Sequence, residues 1–325
     1  MDRKRYLEIY KAAEKIFRSC HEGDSYMRER GIDRATAEKF GIGATPAEGY
    51  VGKLMKQGFS MDELSTAGLA VSGGSRFYKR LMFPLKDAKG EIVGFSGRDM
   101  TGKSPAKYIN TPETQYFKKG EVLFNYSEAK KAGKPFIICE GQMDVVAMVK
   151  AGFDSAVAPM GTALTDAQKQ MIAVYDTVTL CMDGDAPGTA KALKHAIDLY
   201  PMKASIVHLP DGHDPDEILR SGGGEALRKL MKGYSIPQMQ AILMKEKFAM
   251  PDDMSVLTPK SGKDVSRRAP IILDRSIDIA METIPYIRKY SHDRKADVSF
   301  LSKMTGFSPK DINLELSSQK EKLRF

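Results

Sequence analysis

The sequence predicts a multidomain α/β protein, with a mixed α+β N-terminal subdomain, a central mainly parallel sheet and a C-terminal helical subdomain. Three observations carry this. From residue 134 short apolar runs alternate with helical patterns, which is how parallel strands with covering helices are built. Earlier, two apolar runs flank a turn and read as a hairpin. Beyond residue 236 no strand-like run occurs. A chain of 325 residues is long enough for two or three cores. Composition shifts divide it into residues 1–128, 129–235 and 236–325.

The elements follow in order. Leu7, Ile9, Tyr10, Ala13, Ile16 and Phe17 recur at helical spacing and predict an amphipathic helix over residues 3–19. A second helix runs from Asp24 to Arg30 and stops at Gly31, and a third runs from Asp33 to Phe40-Gly41. Arg76 to Leu85, the turn Asp87-Ala-Lys-Gly90 and Glu91 to Phe95 form the hairpin. Phe136–Cys139, Ser155–Ala158, Thr177–Met182 and Ala204–Leu209 read as strands. Between them lie helices through Val145–Val149, after the capping-box spacing of Thr165 and Gln168, and over Thr189–Tyr200. In the last third, Pro251, Pro259 and Pro270 mark connections, and Ser308-Pro309 starts a helix.

Composition narrows the function. At 42% hydrophobic and 28% charged the chain is neither disordered nor membrane-spanning. Three cysteines, Cys20, Cys139 and Cys181, build no disulfide framework, and no CxxC pair offers a zinc site. The net charge of +8 invites a polyanion, and it is unevenly spread: +5 over residues 1–128, −1 over 129–235 and +4 over 236–325.

The acids of the middle third are clustered. Glu140 follows the first strand and Asp144 lies one helical turn later. Asp183 and Asp185 follow the third strand, and Asp211, Asp214 and Asp216 the fourth. Sites in open α/β sheets form at the carboxyl ends of strands, so three segments deliver acids to one edge. Each acid alone reads as a helix cap. Together they require cations, and hard oxygen donors suit Mg²⁺ or Mn²⁺, two ions of which fit an in-line displacement at phosphorus.

Glu140-Gly-Gln-Met-Asp144, Asp183-Gly-Asp-Ala-Pro-Gly188 and Asp214-Pro-Asp216, in this order, resemble the Toprim domain of bacterial or phage DnaG-type DNA primases. The resemblance extends to Tyr26-Met-Arg-Glu-Arg-Gly-Ile32, Arg80-Leu-Met-Phe-Pro84, Gly97-Arg98, Lys107-Tyr-Ile-Asn-Thr-Pro-Glu-Thr114 and Phe117-Lys-Lys-Gly120. It also takes in Met160-Gly-Thr162, Leu209-Pro-Asp-Gly212, the stretch from Tyr286 to Leu301 and Thr305-Gly-Phe-Ser308. It implies a Rossmann-like Toprim sheet within an RNA polymerase core that primes DNA replication on single-stranded DNA from ribonucleoside triphosphates, in the bacterial cytoplasm or a phage-infected cell. By the same resemblance Glu140, Asp183 and Asp185 hold two or more catalytic Mg²⁺ or Mn²⁺ ions, and Asp144, Asp214 and Asp216 complete the metal site. Arg30, Arg98, Lys107, Asn110 and Lys119 line the basic groove for template or nucleotide.

Departures and rivals are equally legible. The family's N-terminal zinc module has no counterpart here, so the chain reads as a zinc-free core served by a separate zinc-binding module and a replicative helicase. Gln142 stands where the family often has an aromatic residue. The run from Gly97 to Lys103-Ser104 fits the phosphate-loop pattern, which demands a helix directly after it. A Toprim nuclease, or a nonenzymatic adaptor for single-stranded DNA or helicase, are the alternatives to a primase. No tyrosine has the setting of a topoisomerase nucleophile.

Overall fold

In the computed structural model, which describes residues 1–72, 74–250 and 269–318, the chain forms two compact units. The first comprises Met1–Tyr175 with Gly212–Leu230, and the second Asp176–Asp211 with the chain from Met231.

The first unit opens with the helix Arg3–Arg18, which Asp2 caps through the Arg5 amide. It buries Tyr6, Leu7, Ile9, Tyr10, Ala13, Ile16 and Phe17, the apolar stripe its periodicity announces. This stripe lies on an antiparallel sheet in the order Gly43–Ala44, Arg80–Lys86, Ile92–Asp99, Tyr108–Asn110. Phe95 receives it, stacked on Tyr10 at 5.3 Å and edge-on to Phe17 at 5.1 Å. The sheet reaches the helix closely because Gly43 has no side chain; a Cβ there would stand 2.3 Å from the Phe17 carbonyl. The predicted hairpin is present, its strands running later than expected, to Lys86 and Asp99. Asp87 closes its turn by accepting from the Lys89 and Glu91 amides.

Register is what matters for the site. Arg98 stands opposite Tyr108, and Ser96 opposite Asn110. Cross-strand partners share a sheet face, as do residues two apart, so these four side chains lie on one face. Elsewhere in this unit the strands Ile137–Cys139 and Ala156–Pro159 pair in parallel, with Leu123–Phe124 antiparallel on the outer side. The helix Gln142–Lys150 that joins the parallel strands is buried almost all round. Against it packs the helical segment Pro215–Leu230, kinked at Gly223, whose Arg228 donates to the Ala151 carbonyl at 2.9 Å.

In the second unit Thr177–Cys181 and Lys203–Val207 form another parallel pair, connected through the helix Ala186–Asp198, and Gly233–Tyr234 adds an antiparallel edge. The helices Ile236–Lys247, Ala269–Tyr290, Arg294–Thr305 and Pro309–Ser318 enclose a core of Met244, Ile279, Ile284, Ile287, Leu301 and Leu316. Pro270 belongs to the first turn of its helix, where a missing amide costs nothing, while Pro251 and Pro259 lie outside the described residues.

Mixed α/β subdomain, mainly parallel Toprim-like strands and helical tail are thus all present. Sequence reading missed the short helices Val51–Met55, Met61–Thr66 and Tyr126–Lys131 and the strand Tyr108–Asn110. Elements of one or two turns are too short for periodicity to emerge, although Ser60 and Glu63 do form a legible capping box. Among the described residues no helix is long and apolar enough to cross a membrane.

Candidate functional site

In the second unit Asp183 leaves the strand Thr177–Cys181 half-buried, and Asp185 caps the next helix, its Oδ1 accepting from the Gly188 amide at 2.7 Å. The helix therefore begins at Ala186, three residues before the predicted start. The glycines of this turn answer to backbone crowding. A Cβ on Gly184 would meet the Pro210 carbonyl oxygen at 2.2 Å, and one on Gly188 the Asp183 carbonyl oxygen at 2.3 Å.

In the first unit Glu140 follows the strand Ile137–Cys139 directly and is half-buried. Asp144, 7% exposed, turns back so that Oδ2 accepts from the Gly141 amide at 2.9 Å. Asp214 accepts from the Glu217 amide at 2.7 Å. Capping, the plain reading of these acids, thus holds for Asp144, Asp185 and Asp214, and it occupies one oxygen of each. The donors are hard carboxylate oxygens, right in kind for Mg²⁺ or Mn²⁺. Among the described residues no three or more Asp, Glu, His or Cys side chains are gathered into a ready metal cluster.

Asp216 differs from the rest. Its side chain is 6% exposed, and Oδ2 accepts from Arg220 Nε at 3.2 Å, with Arg30 Nη1 at 3.9 Å. Burial pushes its carboxyl above the usual range; Arg220 opposes that rise, and the charge of Asp214 adds to it.

The basic residues divide into held and exposed. Arg98 is 5% exposed, donating from Nε to the Tyr26 hydroxyl at 2.8 Å and from Nη1 to the Tyr108 hydroxyl at 3.0 Å. Arg30 lies over the Tyr26 ring at 5.5 Å. Lys107 and Lys119 are exposed; the Lys119 amide donates to Glu113, and its side-chain stem lies beside Gly161. Asn110 is partly buried, and its Oδ1 is enclosed without a hydrogen-bond partner among the described residues. Gln142, at the site's departure from the family pattern, is buried and donates to Ser96 Oγ at 3.4 Å. Arg30, Arg98 and Asp216 are therefore brought into one network, while the Lys107 and Lys119 side chains make no hydrogen bond or ion pair with it among the described residues.

Tyr26, Tyr108 and Arg220 are the participants that sequence reading did not single out. Spacing offered a signal for two of them: Tyr26 stands four residues before Arg30 and Arg220 four after Asp216, neighbours on a helix face. A separate shallow cavity of about 610 Å³, lined by Arg76, Tyr78, Lys79, Arg80, Asp99 and Lys103, lies on the sheet face of Arg80 and Asp99, opposite that of Arg98 and Tyr108. Its floor is set by Arg80, buried, which donates to the Gly97 and Ala106 carbonyls and to Ser104 Oγ. The loop containing Lys103-Ser104 leads into the strand Tyr108–Asn110 and not into a helix, which removes the phosphate-loop reading.

The family described as "DNA primase catalytic core, N-terminal domain" matches residues 12–130, and a "Toprim-like" family matches residues 137–219. The DNA primase of Geobacillus stearothermophilus is 38% identical over 212 residues, covering 62% of this chain and 35% of that protein. Three such curated relatives are covered over 35% to 47% of their own length, so the chain spans less than half of each. Among solved structures, the RNA polymerase domain of Mycobacterium tuberculosis primase DnaG, in complex with a double-stranded DNA oligomer carrying a 6-nucleotide overhang, superposes with a TM-score of 0.77 at 27% identity, over 94% of this chain and 99% of that one. The zinc-binding and RNA polymerase domains of the Aquifex aeolicus primase give 0.70 at 26% identity, over 96% of this chain and 75% of that one.

Proposed function

The chain belongs to the DnaG-type DNA primase catalytic cores, and from that premise we propose that it joins ribonucleotides into short RNA primers on single-stranded DNA. The observation that carries this reading is the meeting of its separate motifs. Tyr26 and Arg30, Arg98, Tyr108 and Asp216 come from four sequence strings and are joined by two hydrogen bonds, one ion pair and the cation–π contact of Arg30 with Tyr26. Single strands are held by cationic tracks, and Arg30, Arg98, Lys107 and Lys119 are the residues proposed to line one.

The proposed reaction is attack of a primer 3′-hydroxyl on the α-phosphate of an incoming nucleotide, with pyrophosphate as leaving group. Glu140, Asp183 and Asp185 are the proposed ligands of two or more Mg²⁺ or Mn²⁺ ions, and Asp144 and Asp214 are proposed to complete the acidic set. Such ions supply a more acidic 3′-hydroxyl and neutralise charge developing on phosphorus. The chain's own groups orient the reactants. Arg98, pinned by two tyrosine hydroxyls, offers guanidinium at a fixed angle, and Lys107 and Lys119 offer mobile ammonium groups to the triphosphate. Asn110 is proposed to stand with them along the groove.

Residues 1–128 are proposed as the basic subdomain, 129–235 as the metal-binding subdomain and 236–325 as the helical subdomain. A replicative helicase and a zinc-binding module, the latter accompanying the polymerase domain of the Aquifex aeolicus protein, are the proposed protein partners. The test incubates the chain with single-stranded template, four labelled ribonucleotides and Mg²⁺ or Mn²⁺. Template-dependent oligoribonucleotides are expected. Shortened template would make it a nuclease, and neither product would make it an adaptor.

A further inference from the structure

Asp216 belongs to the acidic set by sequence and to the arginines by structure. We infer that its carboxylate is a positioning residue for the basic face and not a metal ligand, an inference that rests on the primase reading. The carboxylate is enclosed, and its Oδ2 faces Arg220 and Arg30. The Arg30 guanidinium covers the ring of Tyr26, whose hydroxyl accepts from Arg98. Arg98 is close enough to act electrostatically on Asp216 itself. The Asp216 carboxylate thus stands among three guanidinium groups, with Asp214 as a second negative charge nearby.

Two consequences follow from elementary electrostatics. Guanidinium groups converging on one place repel one another, and a buried anion between them offsets that repulsion while retaining a net positive charge for phosphate. A divalent cation at the same oxygen would instead stand within a few ångströms of Arg220 and Arg30, where it is disfavoured. The backbone supports the same assignment. Gly31, just after Arg30 and at φ +65°, packs on the aliphatic stem of Arg220, and Lys150 donates to the Gly31 carbonyl and pairs with Asp33 at 3.1 Å. The end of the helix Asp24–Glu29 is therefore docked, and Asp216 supplies the charge that keeps Arg30 turned inward.

The experiment compares wild type with Asp216→Asn in two titrations: Mn²⁺ alone, followed by the electron paramagnetic resonance of the free ion, and a fluorescein-labelled oligothymidylate, followed by anisotropy. Loss of a negative charge beside a phosphate site would by itself tighten oligonucleotide binding. The positioning role predicts the opposite sign: affinity falls about threefold to tenfold, because a misplaced guanidinium loses its phosphate contact. Mn²⁺ affinity should stay within about twofold, since no ligand is removed. Most of the oligonucleotide loss should vanish in an Arg30→Ala background, where there is nothing left to position. Arg220→Gln, a milder change on a partly exposed side chain, should weaken oligonucleotide binding in the same direction, and it decides the matter if Asp216→Asn fails to fold. A tenfold loss of Mn²⁺ affinity with oligonucleotide binding retained or tightened overturns the inference, as does unchanged oligonucleotide binding in Arg220→Gln. Failure of the primase reading looks different: Arg30→Ala and Arg98→Ala would then leave oligonucleotide binding untouched.

Discussion

Asp185 carries two roles that chemistry can separate. Its Oδ1 caps the helix Ala186–Asp198 through Gly188, and its charge is proposed to bind metal. Asparagine caps a helix about as well as aspartate, whereas alanine does not, at a cost of about 1 kcal/mol. Asp185→Asn should therefore keep stability within about 0.5 kcal/mol and abolish primer synthesis, while Asp185→Ala should lose both. Urea denaturation alongside a synthesis assay checks this. Wild-type synthesis from folded Asp185→Asn would remove the residue from the metal ligands. The adjoining Gly184 illustrates another residue-level constraint, since it is the Pro210 carbonyl, packed where a Cβ would stand, that restricts the position to glycine.

Among the elements, the helix Arg34–Phe40 shows how a short segment gains permanence from one carboxylate. Asp33 caps it by accepting from the Thr36 amide at 2.8 Å, and Lys150 pairs with the same side chain. Those contacts, the Thr36 amide foremost, hold the Asp33 carboxyl down at about 2, against an ordinary 3.8. A depressed folded-state value means that the stabilisation is complete above the ordinary value and is lost as pH falls toward about 2. Because the side chain is 61% exposed, solvent screening keeps the effect to about 1 kcal/mol or less. The stability advantage of wild type over Asp33→Asn should shrink between pH 5 and pH 2, as measured by urea midpoints. An advantage that is constant across that range would detach Asp33 from the acid response.

For the molecule as a whole, the +8 net charge and its concentration outside residues 129–235 bear on how the proposed nucleic-acid template would be met. Affinity for an oligothymidylate should fall linearly on a logarithmic salt scale, and each lost phosphate contact should lower the slope by about 0.7. Lys107→Ala combined with Lys119→Ala should reduce the slope by up to about 1.4 without altering thermal unfolding, because both side chains are exposed. A slope equal to that of wild type would return the two lysines to the solvated surface.

What the sequence determined by itself is whatever depends on near neighbours along the chain. The helix Arg3–Arg18 follows from its apolar stripe, the hairpin from its two runs and Asp87 turn, and the central region from alternating strand and helix patterns. The positions of Glu140 and Asp183 just beyond their strands were legible for the same reason, since they are counted from elements that the local pattern already marks. Tertiary structure alone decided the partners. Arg98 finds one tyrosine 72 residues away and another 10 residues away, and Asp216 turns to Arg30 from the far side of the same unit's sequence. Such choices depend on strand register and helix docking, which sum the packing of many residues, so no local string encodes which cation a buried carboxylate will meet.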